Sequence, residues 1–280
     1  MKIKNHKLVG ETFTSTKNMG GTIDPKFIIM HYTAGWSDES AIQAFKNRKV
    51  SAQIVLARDG TITQMVPFNR RAWHAGPSKF NGYKNINSHS IGIEVVNIGY
   101  FRKLHSGKWE DPYGGIHDEA SLKRKGYNSD DFLMVRNPRL GSGDFYWPAY
   151  TQAQYDALDK IIPALIEEYD IQDIGTHEEI DTRGWKTDIG PNFAMKRYEN
   201  MLNGGRFDRS DDQDDDVLYR VKITTHSLNV RSGAGTKWRV FDSLKRNNQV
   251  SVIDSEGSWL FIRKDSGEEG WIHGRYTDRV

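Results

Sequence analysis

Residues 26–32 read KFIIMHY and are followed by TAG at 33–35. A continuous apolar run of this length, closed by a turn, predicts a buried strand with His31 emerging where the sheet ends. Ser37 then stands where a helix N-cap belongs, and Ala41, Ile42 and Phe45 fall on the core side of a short helix. Residues 53–57 and 61–66 are β-rich runs joined by Arg58-Asp59-Gly60, where Asp-Gly is a strong hairpin signal.

Downstream, RRAWHAGPSKF at 70–80 is an aromatic-rich loop carrying Trp73 and His74, and SIGIEVVNIG at 90–99 is a further strand. Ile91, Ile93 and Val95 share one face of it, which puts Glu94 on the other with Gly92 and Val96. A carboxylate there has to be paired, solvated in a cleft, or functional. Residues 100–150 are polar, rich in glycine and charge, and weak in periodicity; they predict a long loop region over the domain, a candidate cleft wall. At Thr151 the pattern changes. Thr151 and Gln154 make a capping box, and Tyr155, Leu158, Ile161, Ile162, Leu165, Ile166 and Tyr169 fall on one helical face. Pro163 inside that helix predicts a kink or a local break.

Residues 171–176 form a short predicted strand that delivers His177 into GTHEEIDTRGWKTDIGPNF at 175–193. One imidazole, one ammonium (Lys186) and one carboxylate (Asp188) in so short a segment can complete a zinc site and stabilise a charged intermediate. The same trio also occurs on ordinary protein surfaces.

Composition narrows the classes. The 280 residues are 27% charged and 37% hydrophobic, enough for a soluble globular chain with more than one domain. A net charge of +2 argues against a dedicated nucleic-acid binder. There is no cysteine, so disulfides, thiolate ligands and cysteine nucleophiles are excluded together. No apolar run is long enough to span a bilayer, and the basic start MKIKNHKLVG is not followed by a signal-peptide core. The expectation is synthesis in the cytoplasm, with any work on the cell wall following release by a separate route. After Leu202, GGRFDRSDDQDDD holds six aspartates and two glycines, a solvated linker. Residues 218–280 alternate short strand-like runs with turn residues and carry eleven Lys and Arg against seven Asp and Glu.

Taken in order, HYTAG, ARDG, AWHAG, SIGIE and the H…KTDxGP segment resemble the type 2 N-acetylmuramoyl-L-alanine amidases, zinc enzymes related to peptidoglycan recognition proteins. The resemblance covers roughly residues 24–200. It implies an α/β fold, a mixed central β-sheet flanked by helices, over residues 1–203. It assigns zinc to His31, His177 and Asp188, the proton-transferring carboxylate to Glu94 and the oxyanion-stabilising cation to Lys186. His74, Trp73 and Asn87 become candidate substrate contacts, whereas His117 and the remaining histidines are expected to be exposed loop residues. Where many members carry His-Tyr, this chain has Gln53-Ile54, and the usual Asp-Pro-Gly-Pro is Asp188-Ile189-Gly190-Pro191. LNVRSGAGTKWRVFDSL and GSWLFIRKDSGEEGWIHGRYT resemble bacterial SH3-type domains, which implies a small all-β wall-binding barrel at 218–280 after a linker at 204–217, with Trp259 and Trp271 expected in its core. The implied activity is cleavage of the bond between N-acetylmuramic acid and L-alanine in bacterial peptidoglycan, by a phage or prophage endolysin. Alternatives are a cytoplasmic muropeptide-recycling amidase, a secreted antibacterial effector, or, in another class, a non-catalytic peptidoglycan recognition protein.

Overall fold

The computed structural model describes residues 1–202, 217–231, 233–236, 238–265 and 268–280; the expected acidic linker, apart from Val217, lies outside the described residues. Six strands form the sheet that carries the site: β1 (Thr12–Phe13), β2 (Phe27–Tyr32), β3 (Ile54–Leu56), β4 (Ile62–Gln64), β5 (Ser90–Val95) and β6 (Asp173–Thr176). Their order is β6-β2-β5-β3-β4-β1, parallel at every neighbouring pair except β3/β4, as the expected mixed sheet requires. Strand β2 has a parallel neighbour on each side, which is why KFIIMHY carries no polar alternation before His31.

Register positions the site. Met30 pairs with Thr176, and His31 with Glu94. In-register partners on adjacent strands project to the same face, so His31 and Glu94 stand side by side. His177 follows one residue past β6 and opens a short helix at the carboxyl edge, the customary place for a ligand site in an open α/β sheet.

Local chemistry accounts for the supporting elements. Helix α1 (Asp38–Asn47) is capped by the Ser37 side chain and buries Ala41 and Phe45 in a cluster with Ala52, Val55, Met65 and Val96. The Asp-Gly hairpin forms as predicted: Thr61 N–H donates to Asp59 Oδ1, and Gly60 takes φ +89°, a region that favours glycine. Both halves of the Thr151/Gln154 capping box open helix α2 (Gln152–Glu168), which buries Leu158, Ile161, Ile162 and Leu165. Of the expected kink or local break, the break does not occur: the helix runs continuously through Pro163, which is exposed, so the backbone bond it forgoes lies on the solvent side. Helix α3 (His177–Ile180) has a capping box of its own between Thr176 and Glu179.

Residues 100–150 depart from the expected long loop region. They carry a three-stranded sheet (Arg102–Lys103, Trp109–Glu110, Ile116–His117), a pairing of Leu133–Val135 with Phe145–Trp147, and a buried aromatic group in which Phe101 stacks on Phe132 at 4.9 Å. Two compact units result. One holds Met1–Gly99 and Tyr150–Phe193, and the other joins Tyr100–Ala149 to the C-terminal strands. The reason is apolar: Leu133 belongs to the same buried cluster as Val221, Leu228, Val252, Leu260 and Ile272.

The C-terminal strands, from Tyr219–Ile223 to Thr277–Arg279, make a seven-stranded antiparallel sheet consistent with the SH3-like expectation. Trp259 and Trp271 are only half-buried, not core residues, because the alternating positions Leu260, Ile262 and Ile272 take the interior. Among the described residues no helix is long and apolar enough to cross a membrane.

Thr151 both caps α2 and donates to the Arg58 carbonyl beside the hairpin. Thr151→Ala is expected to cost about 1–2 kcal/mol, read as a lower urea midpoint with an unchanged slope.

Candidate metal centre

The three side chains assigned to zinc by resemblance meet at the carboxyl edge of the sheet. His31 Nδ1 lies 2.9 Å from His177 Nδ1 and 3.2 Å from Asp188 Oδ2, and His177 Nδ1 lies 2.8 Å from the same oxygen. All three are buried. Around tetrahedral zinc, with bonds near ~2.0–2.1 Å, donor–donor edges come to about 3.3 Å, only slightly longer than this triangle. Two Nδ1 atoms facing each other at 2.9 Å are also poorly matched as hydrogen-bonding partners unless one holds a hydrogen, and a cation between two lone pairs removes that conflict. Two imidazoles and a carboxylate are a donor set that suits zinc, so the residues fit the metal.

Electrostatics set the protonation states the metal requires. Burial, reinforced by His177, lowers the His31 pKa to about 4 against the upward pull of Asp188, so His31 is neutral at pH 7. Burial alone would raise the Asp188 carboxyl, but the His177 and His31 rings beside it outweigh that push and hold Asp188 well below the usual carboxylate range. A neutral imidazole and an ionised carboxylate are the ligating forms. Glu94 behaves in the opposite way. Burial and then the Asp188 charge push its carboxyl well above the usual range, while Lys186 opposes them.

The segment bearing Lys186 and Asp188 is irregular yet tightly held. Asp181 accepts hydrogen bonds from Arg183 Nε and from the backbone N–H groups of Trp185 and Lys186, and this holds its carboxyl down at about 2 despite burial. Tyr32 and Thr187 share a 2.6 Å hydroxyl hydrogen bond, Tyr150 donates to the Ile189 carbonyl, and Glu178 N–H donates to the Asp188 carbonyl. Trp185 is exposed, with the Lys186 ammonium 4.9 Å from its ring centre.

Two of the three candidate substrate contacts, His74 and Asn87, have their side chains engaged with other protein groups. His74 is buried with both ring nitrogens engaged, Nδ1 at 2.9 Å from His31 Nε2 and Nε2 at 3.2 Å from Ser90 Oγ, so it has no free atom for a substrate. Asn87 spends its amide on the AWHAG backbone, accepting from the N–H groups of His74 and Ala75 and donating to the Ala75 carbonyl. Trp73 is half-buried, with its backbone N–H bonded to Ser51 Oγ. His117 is not an exposed loop residue; its ring is bonded to Asp111 at 2.8 Å and packed edge-on to Phe101. Asp181 and Ser90 were not singled out from sequence. Asp-Thr-Arg-Gly at 181–184 is a turn signal that points to Asp181, whereas nothing local distinguishes Ser90.

Two known families match this chain. Residues 21–191 match the family described as N-acetylmuramoyl-L-alanine amidase, and residues 226–278 match the bacterial SH3 domain. The 1,6-anhydro-N-acetylmuramyl-L-alanine amidase AmpD of Citrobacter freundii is 44% identical over 184 residues, covering 65% of this chain and 67% of that protein. AmpD of Escherichia coli K12 is 53% identical over 157 residues, covering 55% and 60%. A solved AmpD crystal structure aligns at 22% identity and a TM-score of 0.46 over 72% of this chain and 99% of that one. With more than half of its length matched by that family, this chain belongs to the N-acetylmuramoyl-L-alanine amidases, which are zinc amidases.

Proposed function

We propose that the chain hydrolyses the amide bond between N-acetylmuramic acid and L-alanine, with His31, His177 and Asp188 holding zinc. The observation that carries the reading is the closed triangle of two Nδ1 atoms and one carboxylate oxygen, set beside Glu94 at the carboxyl edge of the sheet. When bound, zinc supplies Lewis acidity and makes water a stronger acid. Glu94 accepts a proton at its carboxylate and returns it to the departing amine nitrogen. Its raised proton affinity suits a group that must both take and give. Lys186, on the loop clamped by Asp181, stabilises the negative charge that grows on the carbonyl oxygen.

The substrate is read as the soluble 1,6-anhydro muropeptide. The similarity to 1,6-anhydro-N-acetylmuramyl-L-alanine amidases supports this reading over the lysis role expected from sequence. A second reading, the polymeric wall, draws its support from the bacterial SH3 domain at 226–278.

Three outcomes test these readings. Dialysis against a chelator is expected to abolish amide cleavage, and one equivalent of zinc to restore it; full activity in demonstrably metal-free protein would sink the zinc assignment. Glu94→Gln is expected to lower kcat by about 10²–10⁴-fold with zinc content unchanged by elemental analysis. Mass spectrometry of products should show kcat/KM at least about tenfold higher on anhydro-muropeptide than on intact sacculi, a factor worth about 1.4 kcal/mol in the barrier. The reverse ratio would favour the wall polymer.

A further inference from the structure

His74 lies under the metal triangle without entering it. From His31 Nε2 a line of hydrogen bonds runs to His74 Nδ1 at 2.9 Å, from His74 Nε2 to Ser90 Oγ at 3.2 Å, and from the Ser90 hydroxyl to the Ile86 carbonyl at 2.7 Å. A carbonyl has no hydrogen to give, so the direction of the line is set at its far end. Ser90 spends its single hydrogen on Ile86 and must accept from His74. A neutral His74 with its hydrogen on Nε2 offers a lone pair at Nδ1, and His31 must then bring its hydrogen on Nε2. The nitrogen left bare on His31 is Nδ1, the atom that faces His177 and Asp188.

We propose that His74 is a positioning residue whose relay to Ser90 and Ile86 locks His31 in the Nε2–H tautomer, aiming the Nδ1 lone pair into the metal triangle. This rests on the zinc reading above and extends it to residues outside the ligand set.

Three features show that the relay is built into the fold. His31, His74 and Ser90 are 1%, 8% and 0% exposed, so bulk water does not compete for these bonds. The slot for the His74 ring exists because residue 92 is glycine: a Cβ there would lie 2.5 Å from His74 Cγ. Asn87 clasps the backbone of His74 and Ala75, and the His31 and His74 rings meet edge to face at 77°. His177 has no such support. Its buried Nε2 has no hydrogen-bond partner among the described residues, so the orienting line serves His31.

Long-range ¹⁵N–¹H correlation on the metal-stripped full chain with labelled histidine tests the relay directly. Both His31 and His74 should carry hydrogen on Nε2; hydrogen on His31 Nδ1 instead would overturn the proposal. Zinc affinity by chelator competition gives a second readout. His74→Leu and Ser90→Ala are expected to weaken zinc binding by about 10–100-fold, and His74→Gln, whose amide oxygen can accept from His31 Nε2–H, to regain part of the loss. Affinities within about twofold of the parent for both Ser90→Ala and His74→Leu refute the relay. Near-UV circular dichroism checks folding, and if His74→Leu does not fold, Ser90→Ala, which keeps both imidazoles, decides. A parent chain that binds no zinc refutes the metal reading alone, because the tautomer measurement needs no metal.

Discussion

Parallel pairing of β2 with β5 and β6 is the constraint on which the site depends. It brings His31 level with Glu94 and sets Thr176 against Met30, so that His177 begins a helix within 2.9 Å of His31 although 146 positions separate them. A register slip of one residue in β5 would turn Glu94 to the opposite face and bring Gly92, with its slot for His74, out of place. The apolar residues of β2 therefore act on function through geometry: Phe27 and Ile29 share a cluster with Ala75, Ile86 and Ile180, residues that lie next to His74, near Ser90 and three positions after His177. Core and site are two ends of the same strands.

Gathering two imidazoles and a carboxylate in a buried space opposes folding unless each is paired. In this chain the opposition is met by the hydrogen bond between His177 and Asp188 within the triangle and by the line from His31 to Ser90 below it. The Lys186–Asp188 segment, which has no helix or strand, depends instead on the Asp181 carboxylate and on the hydroxyls of Tyr32 and Tyr150. Rigidity there comes from side chains reaching to backbone.

Features governed by nearest neighbours were legible in the sequence. The apolar run of β2, the Ser37 cap, the Asp-Gly hairpin and the Thr151/Gln154 box are set by residues within four positions of each other, and each formed as read. Residues 100–150 were not legible, because their burial joins Phe101 to Phe132 and Leu133 to strands beyond residue 217, contacts that leave no periodic trace. Trp259 and Trp271 were misplaced for a related reason: aromatic content was weighed above the alternation that sends Leu260, Ile262 and Ile272 inward. The three metal donors were legible only as members of an ordered set of motifs. His74 belonged to that set too and Asn87 stood outside it; their hydrogen-bond partners, 43 and 12–13 positions away, left no trace in the sequence.

Glu94 shows why the triangle and the proton-transferring group must be built together. Asp188 raises its proton affinity and Lys186 lowers it, so the two residues of a single clamped loop act on the carboxyl in opposite senses. Were the loop displaced, Glu94 would lose both influences at once, and because the Asp188 charge outweighs the Lys186 ammonium, the docked loop as a whole adds to the upward push of burial. Zinc, as a further positive charge in the triangle, acts in the same sense as Lys186 and favours the ionised form. The proton affinity of Glu94 is therefore set jointly by burial, by the loop that carries Asp188 and Lys186, and by the cation the triangle would hold.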